Sequence, residues 1–300
     1  MAVPDVTKKL LLMGLGASGK SSIRAVAFEG KSPEDVKDYK ATINYTRSMK
    51  TIIRNPFQIF DCGGQESFIS VFVGEQAELI FTDVAVLVWV VDLSDFDQVS
   101  TSKFYFKHAS SKLAQYAPDA VIYCLFHKID LVLPDTRDQV IETLKQFFTP
   151  SEEIDIHYRS TSIFEKSIYI VTAEIVRSLI MKSSSAQTVS EVLQKFIEST
   201  EELSGIALYT DEGLPVFEEG DLADSILIPA NLWLSNLDRI QDEFKTSTTY
   251  KTYLETDDLI FVCERLKSEI ILTGIAKKVA PLQYILIKME EVADALKKIV

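Results

Sequence analysis

A stretch of eight residues near the amino end of the chain has the composition of a phosphate-binding loop. Residues 14–21 read Gly-Leu-Gly-Ala-Ser-Gly-Lys-Ser and fit the pattern G-x-x-x-x-G-K-[ST] at every specified position. Glycines let backbone amides wrap around a polyphosphate, Lys20 can reach its β- and γ-phosphates, and the Ser21 hydroxyl is a hard ligand for Mg²⁺. The alternative is an ordinary strand-to-helix turn. We predict a nucleotide phosphate site at Gly14, Gly16, Ala17, Ser18, Gly19, Lys20, Ser21 and Ser22.

A second motif, Asp-Cys-Gly-Gly-Gln at residues 61–65, follows the apolar stretch 57–60. In an open α/β sheet, ligands bind beyond the carboxyl ends of the strands, so this position suits contact with a γ-phosphate. Asp61 can hold Mg²⁺ through a water, Gly64 can offer its N–H to the γ-phosphate, and Gln65 can orient an attacking water. A Gly-Gly turn with an incidental Asp is the alternative, but the order of the two motifs favours the nucleotide interpretation.

A third motif, His127-Lys128-Ile129-Asp130, resembles the N-K-x-D guanine clamp with His in place of Asn. The Asp130 carboxylate can accept hydrogen bonds from the ring N–H and the exocyclic amine of guanine, and adenine has no matching pair of donors on that edge. The stem of Lys128 can pack on the base while its ammonium braces the phosphate loop. We predict guanine in preference to adenine. Selectivity against xanthine stays open, because an imidazole cannot reproduce both hydrogen-bonding groups of an Asn amide.

The elements that position these motifs follow from the apolar pattern. Buried strands are predicted at 10–13, 57–60, 84–91 and 120–126. Apolar residues recurring at intervals of three and four predict helices at 21–28, 99–116, 137–148 and 166–181. Strands separated by segments long enough for crossover helices indicate an α/β sheet, which would place the three motifs at strand ends.

Composition limits the classes of partner and compartment. With 300 residues, 47% of them hydrophobic, the chain is long enough for a large core and for two domains. A net charge of −13 opposes nonspecific binding to nucleic acid or an anionic membrane, which favours protein partners. Three cysteines far apart suit neither a disulfide framework nor a zinc site, so a cytoplasmic setting is predicted. With no signal peptide, membrane-length apolar segment or lipidation motif in the sequence, we expect any membrane recruitment to depend on a partner protein.

The second part of the chain has a different order of elements. Small polar residues after Met181 predict a linker at 183–187. The elements expected after it are helices at 189–203, 225–244 and 282–298, a hairpin with positive φ at Gly213, and three strands. No catalytic constellation is visible there. Segment 226–240 has more apolar residues than one stripe can bury against a single sheet, which predicts a partner surface; the alternative is that they fill the core.

The three motifs together resemble those of the Rag/Gtr small GTPases, over residues 8–181. D-C-G-G-Q and the H-K-x-D variant are characteristic of that family, and K-A-T-I-N-Y and R-S-T-S-I-F resemble its switch I and final base loop. The resemblance implies that Thr42 contacts Mg²⁺ and the γ-phosphate, with Thr46 as second choice. It implies that Thr161, Ser162 and Ile163 border the guanine.

The same resemblance implies a P-loop G domain with a mixed, mostly parallel sheet at residues 1–182 and an α+β roadblock/longin-like dimerisation domain at 188–300. It implies a switch that binds GTP or GDP with Mg²⁺ and hydrolyses GTP slowly, using Gln65, Thr42 and Gly64, until a partner completes the site. The partners implied are a second GTPase chain, as homodimer or heterodimer, together with activating and effector proteins in nutrient-responsive signalling.

Two other functions stay open at this point. The chain could bind nucleotide without significant hydrolysis and act as a scaffold subunit, which Gln65 opposes only mildly. It could be an ATP-dependent kinase for a small molecule, which Asp130 opposes. No arginine lies within the motifs to neutralise a developing charge on phosphate, and nothing in the sequence places Arg24 or Arg47.

Overall fold

The chain forms two units, each with its own β-sheet. The structure is a computed structural model that describes residues 8–36, 39, 42–150, 153–181, 183–221, 243, 251–266 and 270–300. The first unit comprises residues 1–51 and 56–171, and the second comprises residues 52–55 and 172–300. Within the described ranges, no helix is both long and apolar enough to span a bilayer.

The first unit is built on a six-stranded sheet with the order β2-β3-β1-β4-β5-β6. Its strands are β1 (Lys8–Met13), β2 (Tyr45–Ile52), β3 (Asn55–Cys62), β4 (Val84–Asp92), β5 (Val121–His127) and β6 (Ile156–Thr161). β1 is parallel to β3 and β4, and β5 is parallel to β4 and β6. A two-residue turn joins β2 to β3, and a connection that short joins only antiparallel strands. The predicted mixed, mostly parallel α/β sheet is confirmed.

Five helices belong to the first unit, and a sixth, at Ser167–Ile180, crosses the division between the two units. They are α1 (Lys20–Glu29), α2 (Glu66–Val73), α3 (Ala77–Phe81), α4 (Val99–Tyr116), α5 (Arg137–Phe147) and α6 (Ser167–Ile180). Four of them lie where the apolar periodicity predicts helices. α2 and α3 were not predicted, because they are too short, at eight and five residues, to display a clear helical period.

Burial on both faces holds the central strands in place. Leu10, Leu11 and Leu12 point to alternate faces of β1, and all three are buried. One face forms a core with α2, α3, α4 and α5 that includes Trp89. The indole of Trp89 stacks edge-on against Phe106 and donates to the Ser102 hydroxyl at 3.2 Å. A sheet covered on both faces leaves its strand ends as the places open to a ligand.

The second unit contains a five-stranded antiparallel sheet with the order β8-β7-β11-β10-β9. Its elements are α7 (Ser184–Ser199), β7 (Leu203–Thr210), β8 (Pro215–Glu219), β9 (Lys251–Glu255), β10 (Leu259–Arg265), β11 (Ile270–Lys277) and α8 (Leu282–Leu296). Helix α8 packs so closely on β11 that a Cβ at Gly274 would lie 2.6 Å from Met289 Sδ. Gly213 has the predicted positive φ, of 83°. A second, C-terminal sheet domain is therefore present.

The start of α7 differs from the prediction. Residues 184–187, expected to be a linker, form its first turn, and the Ser183 hydroxyl caps the helix by accepting from the N–H of Ala186 at 3.3 Å. Serine is a favoured N-cap residue, so a serine tract is as compatible with a helix start as with a linker. The predicted helix 189–203 thus begins five residues too late, and its last residue belongs to β7. The predicted helix 225–244 and its partner surface lie outside the described residues, apart from Glu243.

Candidate functional site

The motif residues meet at one edge of the first unit's sheet. β1, β3, β5 and β6 run parallel, so the segments that follow them lie at the same edge. A cavity of about 480 Å³ lies there. The predicted residues in its wall are Gly16, Ala17, Gly19, Lys20, Ser21, Ser22, Thr42, Gly64, Gln65, His127, Lys128, Asp130, Ser162 and Ile163. The cavity therefore brings together residues of all three motifs.

The phosphate loop holds its lysine by internal contacts. The ammonium of Lys20 donates to the carbonyl of Leu15 at 2.7 Å and to the hydroxyl of Ser18 at 3.2 Å. Burial lowers the pKa of Lys20 to about 8, and the nearby Asp61 opposes that effect. A desolvated ammonium of this kind gains more from an anionic ligand than an exposed one does.

Ser21, Thr42 and Asp61 carry oxygen atoms of the kind that Mg²⁺ prefers. The hydroxyls of Ser21 and Thr42 are 2.8 Å apart, whereas Thr46 lies on β2 and is not part of the cavity wall. Asp61 is fully buried, and its Oδ1 has no hydrogen-bond partner among the described residues. Two hydroxyls and an orphaned carboxylate oxygen fit a hard cation that keeps several waters. The described residues hold no cluster of three or more His, Cys, Asp or Glu that could bind a metal.

The D-x-x-G-Q segment lies directly against the phosphate loop. A Cβ on Gly64 would stand 2.5 Å from the backbone of Leu15, so only glycine permits this approach. Gly63 donates its N–H to the carbonyl of Asn44 at 2.5 Å. Gln65 is exposed in the cavity wall and precedes the first turn of α2. That position leaves its amide able to reach a molecule in the cavity.

His127 joins the phosphate loop to the last base segment. Its Nδ1 lies 2.9 Å from the Thr161 hydroxyl, and a Cβ on Gly19 would come within 2.9 Å of its Nε2. Burial, reinforced by the Lys128 ammonium, lowers the pKa of His127 to about 4. The imidazole is therefore neutral near pH 7, and one ring nitrogen can accept while the other donates.

Lys128 has a different contact from the predicted one. Its ammonium donates to Asp92 Oδ2 at 2.6 Å, whereas the sequence prediction had it bracing the phosphate loop. Burial alone would raise the pKa of Asp92, but hydrogen bonds from Lys128 and Ser94 hold it below its ordinary value. The strand register explains this contact. Asp92 is paired with His127 across β4 and β5, so Lys128, the residue after His127, lies next to Asp92. Asp130 is half-buried in the cavity wall.

Some residues differ from the predicted set. Gly14, Ser18, Asp61 and Thr161 are not part of the cavity wall. The wall also contains five residues that were not predicted as site residues, namely Val36, Tyr39, Cys62, Leu131 and Phe164. Leu131 and Phe164 are 64% and 53% exposed, which makes them an apolar rim at the Asp130 end. In the sequence, Leu131 follows Asp130, and Phe164 is the last residue of the R-S-T-S-I-F segment.

The two arginines near the loops have defined contacts. Arg24 Nε donates to Asp61 Oδ2 at 3.3 Å, and the same guanidinium pairs with Glu29. Arg47 lies on β2 with its guanidinium 4.7 Å from the ring centroid of Phe60. Among the described residues, no arginine lines the cavity.

Comparison with known sequences decides the family. A sequence profile described as the Gtr1/RagA G protein conserved region matches residues 9–214, from β1 to the turn after β7. The chain belongs to the Gtr1/RagA G protein family. The resemblance drawn from the three motifs is thereby confirmed, and the match extends beyond the 8–181 range on which that resemblance rested.

Two relatives illustrate the similarity of this Gtr1/RagA protein to others. It is 36% identical over 196 residues to GTP-binding protein GTR1 of Saccharomyces cerevisiae, covering 64% of this chain and 62% of that one. It is 33% identical over 175 residues to Ras-related GTP-binding protein A of Dictyostelium discoideum, covering 58% of each chain. The chain thus spans about three fifths of the length of these relatives.

Solved structures give weaker similarities. The Arl6 BBS3 small GTPase of Trypanosoma brucei with the bound nucleotide analogue GppNp is 17% identical with a TM-score of 0.47, covering 59% of this Gtr1/RagA chain and 100% of that chain. MglB of Myxococcus xanthus is 14% identical with a TM-score of 0.36, covering 40% of this chain and 93% of that chain.

Proposed function

We propose that this protein is a guanine-nucleotide switch that binds GTP and GDP with Mg²⁺. The observation that carries the proposal is the convergence of the phosphate loop, the D-x-x-G-Q segment and the H-K-x-D segment on one cavity. The names of two relatives, GTP-binding protein GTR1 and Ras-related GTP-binding protein A, support the choice of nucleotide. Asp130 supports guanine over adenine through its two acceptor oxygens.

Each part of the cavity has a proposed task. Lys20 and the amides of residues 16–21 bind the phosphates, and Ser21, Thr42 and Asp61, the last through a water, hold Mg²⁺. Held by these residues, Mg²⁺ would supply positive charge that offsets the negative charge of the phosphates. Gly64 offers its N–H toward the γ-phosphate position, and Gln65 orients the attacking water. Asp130, with His127 and residues 161–163, positions the base.

We propose further that hydrolysis by the isolated chain is slow. In the described part of the chain no arginine lines the cavity, and Gln65 is exposed. Phosphoryl transfer gains about 10³- to 10⁵-fold from an arginine finger supplied in cis or by a partner. An activating protein would therefore contribute that charge, or order Gln65.

The test is nucleotide binding followed by single-turnover hydrolysis on the full chain. We expect fluorescent GTP and GDP analogues to bind with Mg²⁺ while the ATP analogue does not compete. Gln65→Leu should keep GTP affinity within about tenfold and slow hydrolysis, because its amide acts on the water. Tight GTP binding without measurable hydrolysis, even with cell extract, would favour the scaffold alternative, and competition by ATP would favour the kinase.

We also propose that residues 188–300 form a roadblock/longin-like dimerisation domain, so that the switch acts within a dimer and recruits signalling partners. Support comes from the antiparallel sheet of the second unit, whose edge strand β9 carries Tyr253 and Leu254 half exposed. Edge strands with apolar side chains are commonly covered by another chain. Light scattering on the full chain, alone and mixed with a related GTPase chain, distinguishes homodimer, heterodimer and monomer. A monomer in both samples would refute the dimer.

A further inference from the structure

Arg24, which belongs to none of the motifs, contacts the buried carboxylate of the proposed magnesium site. Its Nε donates to Asp61 Oδ2 at 3.3 Å. The Asp61 side chain is fully buried, and that of Arg24 is 20% exposed. A buried carboxylate is very unfavourable unless a cation or hydrogen-bond donors compensate it. Arg24 supplies such compensation from α1, the helix that begins at the phosphate-loop residue Lys20.

The guanidinium of Arg24 is shared between two carboxylates. Its Nη1 pairs with Glu29 Oε1, and the other oxygen of Glu29 accepts from Lys31 at 3.1 Å. Glu29 is partly exposed, whereas Asp61 is not. The fork of a guanidinium allows it to hold both acceptors at once, which a lysine ammonium on the same helix position would do less well. Glu29 therefore limits how much of the Arg24 charge acts on Asp61.

A second cation near Asp61, Lys20, makes its hydrogen bonds with other groups. The Lys20 ammonium donates to Leu15 and Ser18 of the phosphate loop. Arg24 contacts Oδ2 of Asp61, whereas Oδ1 of the same carboxylate has no hydrogen-bond partner among the described residues. One oxygen thus faces a resident cation while the second keeps its full capacity to accept.

We propose that Arg24 is the resident counter-ion of Asp61 and competes electrostatically with Mg²⁺, so that it promotes metal and nucleotide release. This inference rests on the proposed function. A guanidinium and a metal ion stabilise the same carboxylate, and each gains less when the other is present. Loss of Arg24 should therefore destabilise the metal-free protein more than the Mg²⁺·GDP form. By linkage, the variant then binds Mg²⁺ more tightly.

The test compares full-length wild type, Arg24→Gln, Arg24→Lys and Glu29→Gln, each loaded with a fluorescent GDP analogue. The first measurement is the metal midpoint, the Mg²⁺ concentration in EDTA-buffered MgCl₂ at which the rate of nucleotide release has fallen by half. The second is thermal unfolding, in EDTA and in MgCl₂ with GDP. We expect Arg24→Gln to lower the metal midpoint by roughly two- to fivefold, the value of a partly exposed charge interaction. Relative to wild type, the unfolding midpoint of Arg24→Gln should fall more in EDTA than in MgCl₂ with GDP. Arg24→Lys should show a smaller shift.

Glu29→Gln should shift the metal midpoint in the opposite direction. Without the Glu29 charge, the whole charge of Arg24 acts on Asp61, so a higher Mg²⁺ concentration should be needed to slow nucleotide release by half. Glu29→Gln also carries the test if Arg24→Gln does not fold. Arg47→Gln, whose guanidinium stacks on Phe60, is the matched control and should not shift the metal midpoint. An unchanged midpoint with equal loss of stability in both conditions would reduce Arg24 to a structural brace, and a raised midpoint would reverse its role. Wild type that does not retain the GDP analogue in MgCl₂ would refute the proposed function instead.

Discussion

The phosphate end and the base end of the cavity differ in how their side chains are held. At the phosphate end, Lys20, Ser21 and Thr42 already contact protein atoms, and Asp61 is fully buried. At the base end, Asp130 is half-buried and the rim residues Leu131 and Phe164 are largely exposed. Charge is thus concentrated in the desolvated part, where each interaction is strong, and apolar surface is left where a planar base can be covered. The phosphate end should dominate affinity, and the base end should determine selectivity.

The largest effect is expected from Lys20→Met, because the substitution removes a desolvated charge from the phosphate end. We expect affinity for GTP and GDP to fall by about 10²- to 10³-fold, which corresponds to the free-energy cost of removing one partner from a buried ion pair. Titration with fluorescent analogues measures it. Lys128→Met is the control at the other end, since its ammonium pairs with Asp92. Equal losses of nucleotide affinity in Lys20→Met and Lys128→Met would show that the phosphate end does not dominate affinity.

Asp130→Asn tests the base end. An amide presents an acceptor and a donor where the carboxylate has only acceptors, so the preference should move from guanine to xanthine. We expect GTP affinity to fall by about 10- to 100-fold, as for loss of hydrogen bonds to a charged group. Competition between GTP and XTP measures the change. Loss of both nucleotides together, with an altered circular dichroism spectrum, would indicate misfolding.

The pH dependence of binding should report on the phosphate end alone. The Lys20 pKa is lowered to about 8, and bound phosphates favour its charged form, so the complex holds more protons than the free protein above that pH. Affinity should fall as pH rises from 8, by at most about tenfold per unit. Isothermal titration in buffers of different ionisation enthalpy checks the proton uptake. Lys20→Met should lose this slope, while Asp130→Asn should keep it.

The smallest effect is expected at the apolar rim. Phe164→Ala removes an exposed ring, so we expect about a fivefold loss of affinity, the low end of the range for stacking on a base. The loss should be similar for GTP and XTP, because stacking does not read hydrogen-bonding groups. Parallel titrations of the two nucleotides measure it. A loss confined to one nucleotide would show that the rim contributes to selectivity.

Sequence reasoning predicted four of the six strands of the first unit and placed three motifs at strand ends, because parallel strands share an edge. It did not predict β2 and β6, which have few buried residues and no continuous apolar stretch. It could not predict the partners of Arg24 and Lys128. Those contacts depend on the rotation of α1 and on the register of β4 with β5, which local patterns do not specify. The start of α7 was mispredicted because serine favours both caps and linkers. Leu131 and Phe164 were missed because an exposed apolar residue is ordinary on any protein surface.

Asp92, His127 and Thr161 lie side by side across β4, β5 and β6. The row runs perpendicular to the strands. The three residues therefore stay side by side only if no residue is inserted into or deleted from a strand before them. Inserting one residue within 122–126 would displace His127 from the row and turn its side chain to the opposite face. An insertion in the turn at 117–120 leaves the row intact. Tolerance to insertions should therefore change abruptly over a few residues at the start of β5.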